Sequence, residues 1–180
     1  VTPVRDNGTY HAVVTNAAGA TRSTAVFVNV AVSPTQLVAW GDNTSSQATP
    51  PPGLTDAVSV AAGAAHTLAL RADGTVVAWG YNGSGQTSVP PTLTAVTALT
   101  AGDYHTLALR ADGTTVAWGW NGYGQTLAPT ALTPFVALAA GGTHTVALRS
   151  DNTVLAWGDN ALGQTSVPAN LTTASLLALT

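Results

Sequence analysis

Histidine and aspartate are the side chains with which this sequence could do acid–base chemistry near neutral pH, because it contains no cysteine, glutamate or lysine. Three histidines, His66, His105 and His144, are spaced 39 residues apart. A histidine can act as a general acid or base, but a catalytic role would have to exist in every copy of this repeat. We therefore interpret the three as structural residues. Each is expected to start a strand after a glycine turn and to hydrogen-bond backbone groups that would otherwise lack a partner.

The aspartates form neither a carboxylate pair nor a recognisable metal-binding pattern. Three of them stand in hairpin-turn segments, where a carboxylate accepts local backbone hydrogen bonds: Asp73, Asp112 and Asp151. Asp42 and Asp159 are each followed by asparagine and offer oxygen atoms of the kind that calcium prefers, but the acidic spacing of a dedicated calcium loop is missing. No catalytic triad, P-loop or dinucleotide motif is present. The sequence therefore predicts a protein that is not an enzyme, with no catalytic residue, metal site or cofactor.

The large aromatic residues divide into two groups. One group recurs every 39 residues between Ala and Gly, and we interpret it as packing each repeat against its neighbour: Trp40, Trp79, Trp118 and Trp157. The other group occupies loop positions that vary while the rest of the repeat stays constant: Tyr81, Tyr104, Trp120 and Tyr123. Exposed aromatic residues on rigid loops are the usual anchors of interfaces. We expect these four to form a patch that binds a protein or a glycan; drift among duplicated repeats is the alternative origin.

A repeat of 39 residues must position all of these side chains. The segment HTLALRADGT occurs at His66 and again at His105, and HTVALRSDNT begins at His144. Short β-rich runs within each period are separated by a glycine and by an Asp-Gly hairpin signal, and we expect a fourth short strand around Thr87 to Val89. Four strands in about 40 residues are typical of a β-propeller blade. The glycine before each histidine is interpreted as structural: Gly63, Gly102 and Gly141.

These repeats predict an all-β chain of four-stranded antiparallel blades from residue 36 to residue 180. About 3.7 repeats fit into this length, and propellers have about four to eight blades. The chain is therefore either a small four-bladed ring that lacks part of a blade or an arc of a larger ring. We favour the arc, with exposed blade edges through which copies could associate. The expected boundaries are a partial repeat at 36–57, full repeats at 58–95, 96–134 and 135–173, and a partial repeat at 174–180.

The first residues follow another pattern. Asp6 to Gly19, followed by Thr24 to Val30, resembles the last two strands of an immunoglobulin-like domain, and the D-x-G-x-Y run carries this resemblance. It implies that Tyr10 forms a corner bonded to nearby backbone, while Ala12 stands where that family has a cysteine, as in disulfide-free bacterial surface domains. We assign residues 1–31 to such strands and 32–35 to a linker. Because an isolated hairpin is marginally stable, we expect it to pack on the first blade or on upstream strands.

The repeats themselves resemble a known family. The pattern V-x-A-W-G-x-N-x-x-G-Q-T-x-V-P at Val76 to Pro90, together with A-A-G-x-x-H-T-L-A-L at Ala61 to Leu70, is similar to the regulator of chromosome condensation repeat. Within that family the short repeats are most similar to the secreted bacterial β-lactamase inhibitor subtype, which implies a seven-bladed propeller. That subtype binds through aromatic residues just before the histidine column, and of those positions only Tyr104 is aromatic here.

Composition and charge narrow the choice of partners. Only 7% of residues are charged and the net charge is -3, so the chain cannot bind a phosphate backbone as basic surfaces do, and we expect no nucleic acid partner. No apolar run reaches the roughly 20 residues of a membrane span. The leading prediction is a non-enzymatic extracellular or cell-surface bacterial segment that acts as scaffold, adhesin or assembly module. The alternative is a secreted propeller that binds or inhibits a specific protein through its loop aromatic residues.

Overall fold

The computed structural model describes residues 9–13, 27–31, 37–129, 134–169 and 171. The regular secondary structure within these residues consists of β-strands, which confirms the all-β prediction. The strands form antiparallel, three-stranded sheets in chain order, here called blades 1 to 4. Blade 1 contains β1 (Thr9–Val13), β2 (Phe27–Ala31) and β3 (Leu37–Trp40). Blade 2 contains β4 (Ala57–Ala62), β5 (His66–Arg71) and β6 (Val76–Gly80). Blade 3 contains β7 (Val96–Ala101), β8 (His105–Arg110) and β9 (Thr115–Gly119). Blade 4 contains β10 (Phe135–Ala140), β11 (His144–Arg149) and β12 (Val154–Gly158). Within the described ranges, no helix is long and apolar enough to cross a membrane.

The prediction that each blade contains a fourth strand was wrong. The segment from Thr87 to Val89 instead folds into turns after β6. The amide of Ser88 donates to the carbonyl of Gly85 (3.0 Å), and the amide of Val89 donates to the carbonyl of Thr87 (3.0 Å). These local bonds use the donors that a fourth strand would need for its ladder, and the two following prolines have no N–H to offer.

The hairpin that joins the second and third strands of a blade is the one that the Asp-Gly signal predicted. Gly74 and Gly113 have φ angles of +80° and +78°, and Asn152 takes the same left-handed position in blade 4 with a φ of 66°. Each turn aspartate accepts hydrogen bonds from the amide and hydroxyl groups of the threonine two residues later, as for Asp73 and Thr75 (2.9 and 2.6 Å). Asp112 and Asp151 make the same bonds, so the local role of these carboxylates is confirmed.

The hydrophobic core lies between neighbouring blades. In three of the four repeats, the repeated tryptophan shares a cluster with a leucine of the preceding blade: Trp79 with Leu37, Trp118 with Leu70, and Trp157 with Leu109. These three tryptophans therefore lie in the packing between neighbouring blades. Trp40 differs, because 44% of its surface is exposed. It belongs to blade 1, and the described residues contain no preceding blade to cover it.

A buried glutamine in the loop after each of the first three blades carries polar contacts across the same interfaces. The backbone carbonyl of Gln86 accepts hydrogen bonds from Oγ1 of Thr106 (3.1 Å) and from Nε1 of Trp118 (2.9 Å), both in the next blade. Gln47 and Gln125 repeat this pair of bonds with Thr67 and Trp79 and with Thr145 and Trp157. Both lone pairs of each carbonyl are therefore satisfied by the following blade.

The predicted N-terminal segment contributes two strands to blade 1. Strand β1 pairs with β2, and β2 pairs with β3, which brings Phe27 opposite Trp40 and Val30 opposite Leu37. The expected packing of this hairpin on the first blade thus takes the form of sheet pairing. The immunoglobulin-like origin of residues 1–31 stays a prediction. The linker at 32–35 and the last partial repeat at 174–180 lie outside the described residues.

The glycine column marks the closest approach between blades. A methyl group at Gly63 would overlap the ring of His66 and the backbone carbonyl of Gly102 in the next blade. A methyl group at Gly102 would overlap the ring of His105 and the carbonyl of Gly141. Glycine is therefore required here for space, since neither a backbone carbonyl nor a buried ring can move aside cheaply.

We expect Gly102→Ala to lower the free energy of unfolding by about 1–3 kcal/mol, as overpacking of a close-packed interior does. Urea denaturation measures this change. Gly83→Ala is the matched control, because Gly83 is exposed and the atoms nearest to its added methyl group belong to the half-exposed ring of Tyr81, whose displacement would cost a surface contact with Tyr104 but would not disturb the packing between blades. Equal stability of the two variants would contradict a packing role for the glycine column.

Candidate functional site

The four aromatic residues predicted to form a patch do lie together, around one cleft at one end of blades 2 and 3. The cleft has a volume of about 580 Å³. Its aromatic walls are Tyr81, Tyr104, Trp120 and Tyr123, and its remaining lining residues are Ser45, Ala65, Ser84, Asp103 and Thr143. That these side chains bind a partner stays a prediction.

Backbone hydrogen bonds hold the two loops of each blade side by side at this end. The amide of Tyr81 donates to the carbonyl of Ala65 (2.7 Å), and the amide of Trp120 donates to the carbonyl of Tyr104 (2.8 Å). Because these bonds use only main-chain atoms, the side chains at these positions are free to differ between blades. The loops that carry the aromatic residues are thus fixed independently of the residues they carry.

The aromatic rings meet in two edge-to-face pairs. The centroids of Tyr81 and Tyr104, which come from neighbouring blades, lie 6.1 Å apart with an interplanar angle of 70°. The centroids of Trp120 and Tyr123, which belong to one loop, lie 5.2 Å apart at 89°. Such pairs are favoured by the ring quadrupoles. Tyr81, Tyr104 and Tyr123 nevertheless remain between 41 and 54% exposed, so the pairs fix the rings without hiding them.

Each aromatic residue at positions 81 and 120 leaves the side-chain amide nitrogen of a buried glutamine without a hydrogen bond. In blade 1 the corresponding residue is Asp42, whose carboxylate accepts a hydrogen bond from Nε2 of the buried Gln47 (3.0 Å). Tyr81 and Trp120 stand in place of that carboxylate, and Nε2 of Gln86 and of Gln125 has no hydrogen-bond partner. An unsatisfied buried donor costs about 1–3 kcal/mol. The aromatic residues are therefore a destabilising choice, as is common at functional sites.

Asp103, which the sequence analysis did not single out, is the one carboxylate that lines the cleft. Burial raises the pKa of this group above its ordinary value. No residue in the described ranges donates a hydrogen bond to its carboxylate, and its backbone amide donates to the carbonyl of Gly142 in blade 4 (3.1 Å). The equivalent residues are Ala64 and Gly142. This variation within a column was the available signal, and it was missed because only aromatic residues were sought.

Asp42 and Asp159, the residues weighed as calcium ligands, have local roles. Asp42 accepts hydrogen bonds from the amide of Thr44 (3.1 Å) and from the side chain of Gln47. Asp159 accepts from the amide of Ala161 (3.0 Å) and from Oγ1 of Thr143 (3.2 Å). Within the residues that the structure describes, no three His, Cys, Asp or Glu side chains lie together as a metal site would require.

Comparison with known families decides the nature of the repeats. The family model described as "Regulator of chromosome condensation (RCC1) repeat" matches residues 57–86, 96–125 and 135–164. Each match begins at the first strand of a blade and ends at the buried glutamine column, and together they cover half of the chain. The chain belongs to the RCC1 repeat family. The resemblance of the repeats to this family is thereby confirmed.

Solved structures show the same fold. The ectodomain of the Physcomitrella patens receptor kinase CR4 is 27% identical with a TM-score of 0.63, over 74% of this chain and 36% of that one. Prp20p from Saccharomyces cerevisiae is 21% identical with a TM-score of 0.63, over 74% of this chain and 43% of that one. Human WBSCR16 is 20% identical with a TM-score of 0.66, over 82% of this chain and 50% of that one. The chain thus spans half the length of these proteins or less. A comparison with curated protein sequences found no significant match.

The histidines of the RCC1 repeats bridge neighbouring blades through their side chains. Nε2 of His66 lies 3.1 Å from Oγ1 of Thr106, and Nε2 of His105 lies 3.3 Å from Oγ1 of Thr145. The prediction that these histidine side chains bond to backbone groups was therefore wrong for His66 and His105. Because the Thr106 hydroxyl donates to the Gln86 carbonyl, its oxygen accepts from the histidine, and the ring proton sits on Nε2. Nδ1 of both rings is buried without a hydrogen-bond partner, which disfavours a second proton.

We expect Tyr81→Asp to raise the free energy of unfolding by about 1 kcal/mol, because the new carboxylate can accept the hydrogen bond of Gln86 as Asp42 does for Gln47. Tyr81→Ala is the control, since it removes the same half-exposed ring and supplies no acceptor. Urea denaturation of both variants beside the unmodified chain measures the difference. If the aspartate variant were no more stable than the alanine variant, the unsatisfied amide would not be the cost of the aromatic residue.

Acid should destabilise the repeats through the buried histidines. Burial lowers the pKa of His66 and of His105 to about 4, and a neighbouring histidine adds to the effect. The unfolded chain binds these protons at its ordinary pKa of 6.5, so the free energy of unfolding falls as the pH drops from about 6.5 to about 4. The loss is on the order of 2–3 kcal/mol for each histidine. Urea denaturation at several pH values across this window measures it. His105→Gln should flatten the profile, and an unchanged profile would contradict this assignment.

Proposed function

We propose that this chain is a non-enzymatic, protein-binding segment of an RCC1 repeat protein and that its partner contacts the aromatic cleft. One observation carries the proposal: four aromatic residues outside the repeated columns come from two blades and converge on one cleft. The loops of all blades lie at one end, so drift would scatter aromatic residues over these columns in every blade, whereas all four occur in the neighbouring blades 2 and 3. Drift also does not favour a tyrosine and a tryptophan that each leave a buried glutamine amide without a partner.

The character of the cleft supports a protein partner. Its rings are held by edge-to-face contacts and by backbone bonds between loops, so little side-chain entropy is lost when they are covered. Tyrosine and tryptophan are the residue types that most often dominate binding energy at protein interfaces. Among related structures, Prp20p is described with binding properties towards Gsp1p and histones, and yeast RCC1 was solved bound to Kap60. We extend only the general mode, binding of a protein by the propeller, to this chain.

The setting that we propose is extracellular or on the cell surface of a bacterium, where the segment serves as scaffold, adhesin or assembly module. Its support is the near-identical repeats in tandem with the D-x-G-x-Y run that ends at Tyr10, which resembles an immunoglobulin-like module. The more specific alternative is a secreted seven-bladed propeller that binds or inhibits one protein, as in the β-lactamase inhibitor subtype. The cleft favours specific binding over a purely spacing role, since a spacer has no need of destabilising aromatic residues at one end of its repeated frame.

Alanine substitution of the cleft tests the proposal. Trp120→Ala combined with Tyr123→Ala should weaken binding of any protein partner isolated with the unmodified chain by at least about 30-fold, because two anchor residues of an interface are lost. Surface plasmon resonance measures the affinity, and thermal unfolding verifies the fold. Leu162→Ala is the matched control: it occupies the column of Tyr123 in blade 4, is 93% exposed and does not line the cleft. We expect it to change the affinity less than threefold or so.

Each other outcome has a defined meaning. Retained affinity of the double variant would contradict the proposed role of the cleft. Loss of binding after enzymatic deglycosylation of the partner would replace the protein surface by a glycan as the recognised chemistry. Light scattering that gave defined dimers or filaments, dispersed by the double variant, would make a second copy of this chain the partner.

A further inference from the structure

We propose that the aromatic cleft accepts an arginine side chain of the partner, with its guanidinium group held between the aromatic rings and the carboxylate of Asp103. This inference rests on the proposed function, because it specifies which chemistry of a partner protein the cleft recognises. The proposed ligand group is a cation, whereas exposed aromatic residues alone would be equally consistent with an apolar group.

The first argument is charge. Asp103 is the one charged side chain that lines the cleft, and the chain as a whole carries a net charge of -3. The arginines in the described residues are engaged elsewhere. Nε of Arg71 lies 3.5 Å from Oδ1 of Asp56, and Nη1 of Arg149 lies 2.8 Å from Oδ2 of Asp151. Nη2 of Arg110 donates to the carbonyl of Thr92 (3.4 Å). The cleft therefore presents a negative charge without a positive one beside it.

The second argument is that the carboxylate of Asp103 lacks a hydrogen-bond donor. The carboxylate is half-buried against Gly142. A methyl group added to that glycine would lie 2.8 Å from Oδ2 of Asp103. The turn aspartates of the same chain each accept two hydrogen bonds from a threonine, whereas no described residue donates to Asp103. Burial of a carboxylate without a partner costs free energy that a bound cation would recover.

The third argument is the chemical nature of the walls. Apart from Ala65, the lining contains no aliphatic side chain, and the remaining residues are aromatic, hydroxyl-bearing or acidic. Faces of tryptophan and tyrosine attract cations, and aromatic rings around a carboxylate form a favourable site for one. Arginine fits better than lysine, because its planar guanidinium stacks on rings, binds a carboxylate through two parallel hydrogen bonds and is less strongly hydrated.

A titration with matched peptides tests the inference on the full chain. The probes are acetyl-Gly-Arg-Gly-amide and acetyl-Gly-citrulline-Gly-amide, which have nearly the same shape and differ in charge. Binding is followed by the NMR resonances of the Trp120 indole and the Tyr104 amide at about 0.15 M salt, where long-range attraction is screened. We expect saturable shifts with the arginine peptide and an affinity at least about tenfold weaker for the citrulline peptide, the loss of one buried charge-assisted contact.

Two variants separate the role of Asp103 from net charge. Asp103→Asn should lower the affinity for the arginine peptide about tenfold, to the level of the citrulline peptide. Asp112→Asn makes the same charge change in a hairpin turn outside the cleft, where an asparagine oxygen can still accept the bonds from Thr114, and should leave the affinity unchanged. Equal binding of both peptides, or an Asp103→Asn variant that binds arginine as the unmodified chain does, would overturn the inference.

The outcomes also distinguish this inference from the proposed function. If the arginine peptide shifts no cleft resonance while Trp120→Ala with Tyr123→Ala still abolishes binding of a protein partner, the cleft binds protein by another chemistry and the cation inference fails alone. If the peptide binds the cleft as expected and the double variant leaves partner binding intact, the proposed function fails and the cation site remains as a separate property.

Discussion

The buried carbonyl of one glutamine after each of the first three blades is the constraint on which the rest of the structure depends. It lies where two blades meet, out of contact with water, and its two lone pairs need two donors. A threonine hydroxyl and a tryptophan indole of the next blade supply them, as Thr106 and Trp118 do for Gln86. Loss of either donor would leave a desolvated acceptor unsatisfied. The requirement recurs at every interface, which explains why these residue types recur at a fixed spacing while their neighbours change.

The same arrangement explains how a binding surface can exist on a strictly repeated frame. The loops at one end of the blades are tied together by main-chain bonds, such as that between Tyr81 and Ala65, and the interior contacts are made by other columns. Side chains at the loop positions can therefore vary with a limited effect on the fold. Here the variation brings rings from blades 2 and 3 and the carboxylate of Asp103 around one cleft. Stability and the proposed recognition reside in different columns of one repeat, and the two compete at the side-chain amide of the buried glutamine.

The sequence predicted most of the fold because the fold depends on local signals and on spacing. Asp-Gly turns set the hairpins, and the 39-residue period set the blades. The expected fourth strand failed, because the segment after Gln86 forms turns whose hydrogen bonds use its amide donors, and the two prolines that follow have no N–H. The aromatic cleft could be anticipated from columns that vary. Asp103 also varies within its column and could have been noted on that ground, but its half-buried position against blade 4 and its lack of a donor are visible only in the structure. The hydroxyl partner of His66 lies 40 residues away, beyond any local pattern.

The hydrogen bonds between blades also have a direction. At the junctions between blades 2 and 3 and between blades 3 and 4, the earlier blade offers a histidine N–H and a glutamine carbonyl, and the later blade offers a threonine hydroxyl and a tryptophan N–H. These two junctions are therefore head to tail and chemically equivalent, and the junction between blades 1 and 2 shares the glutamine bonds. Removal or duplication of a complete 39-residue unit would rejoin the same complementary surfaces. Gene duplication can thus change the number of blades without redesigning a junction.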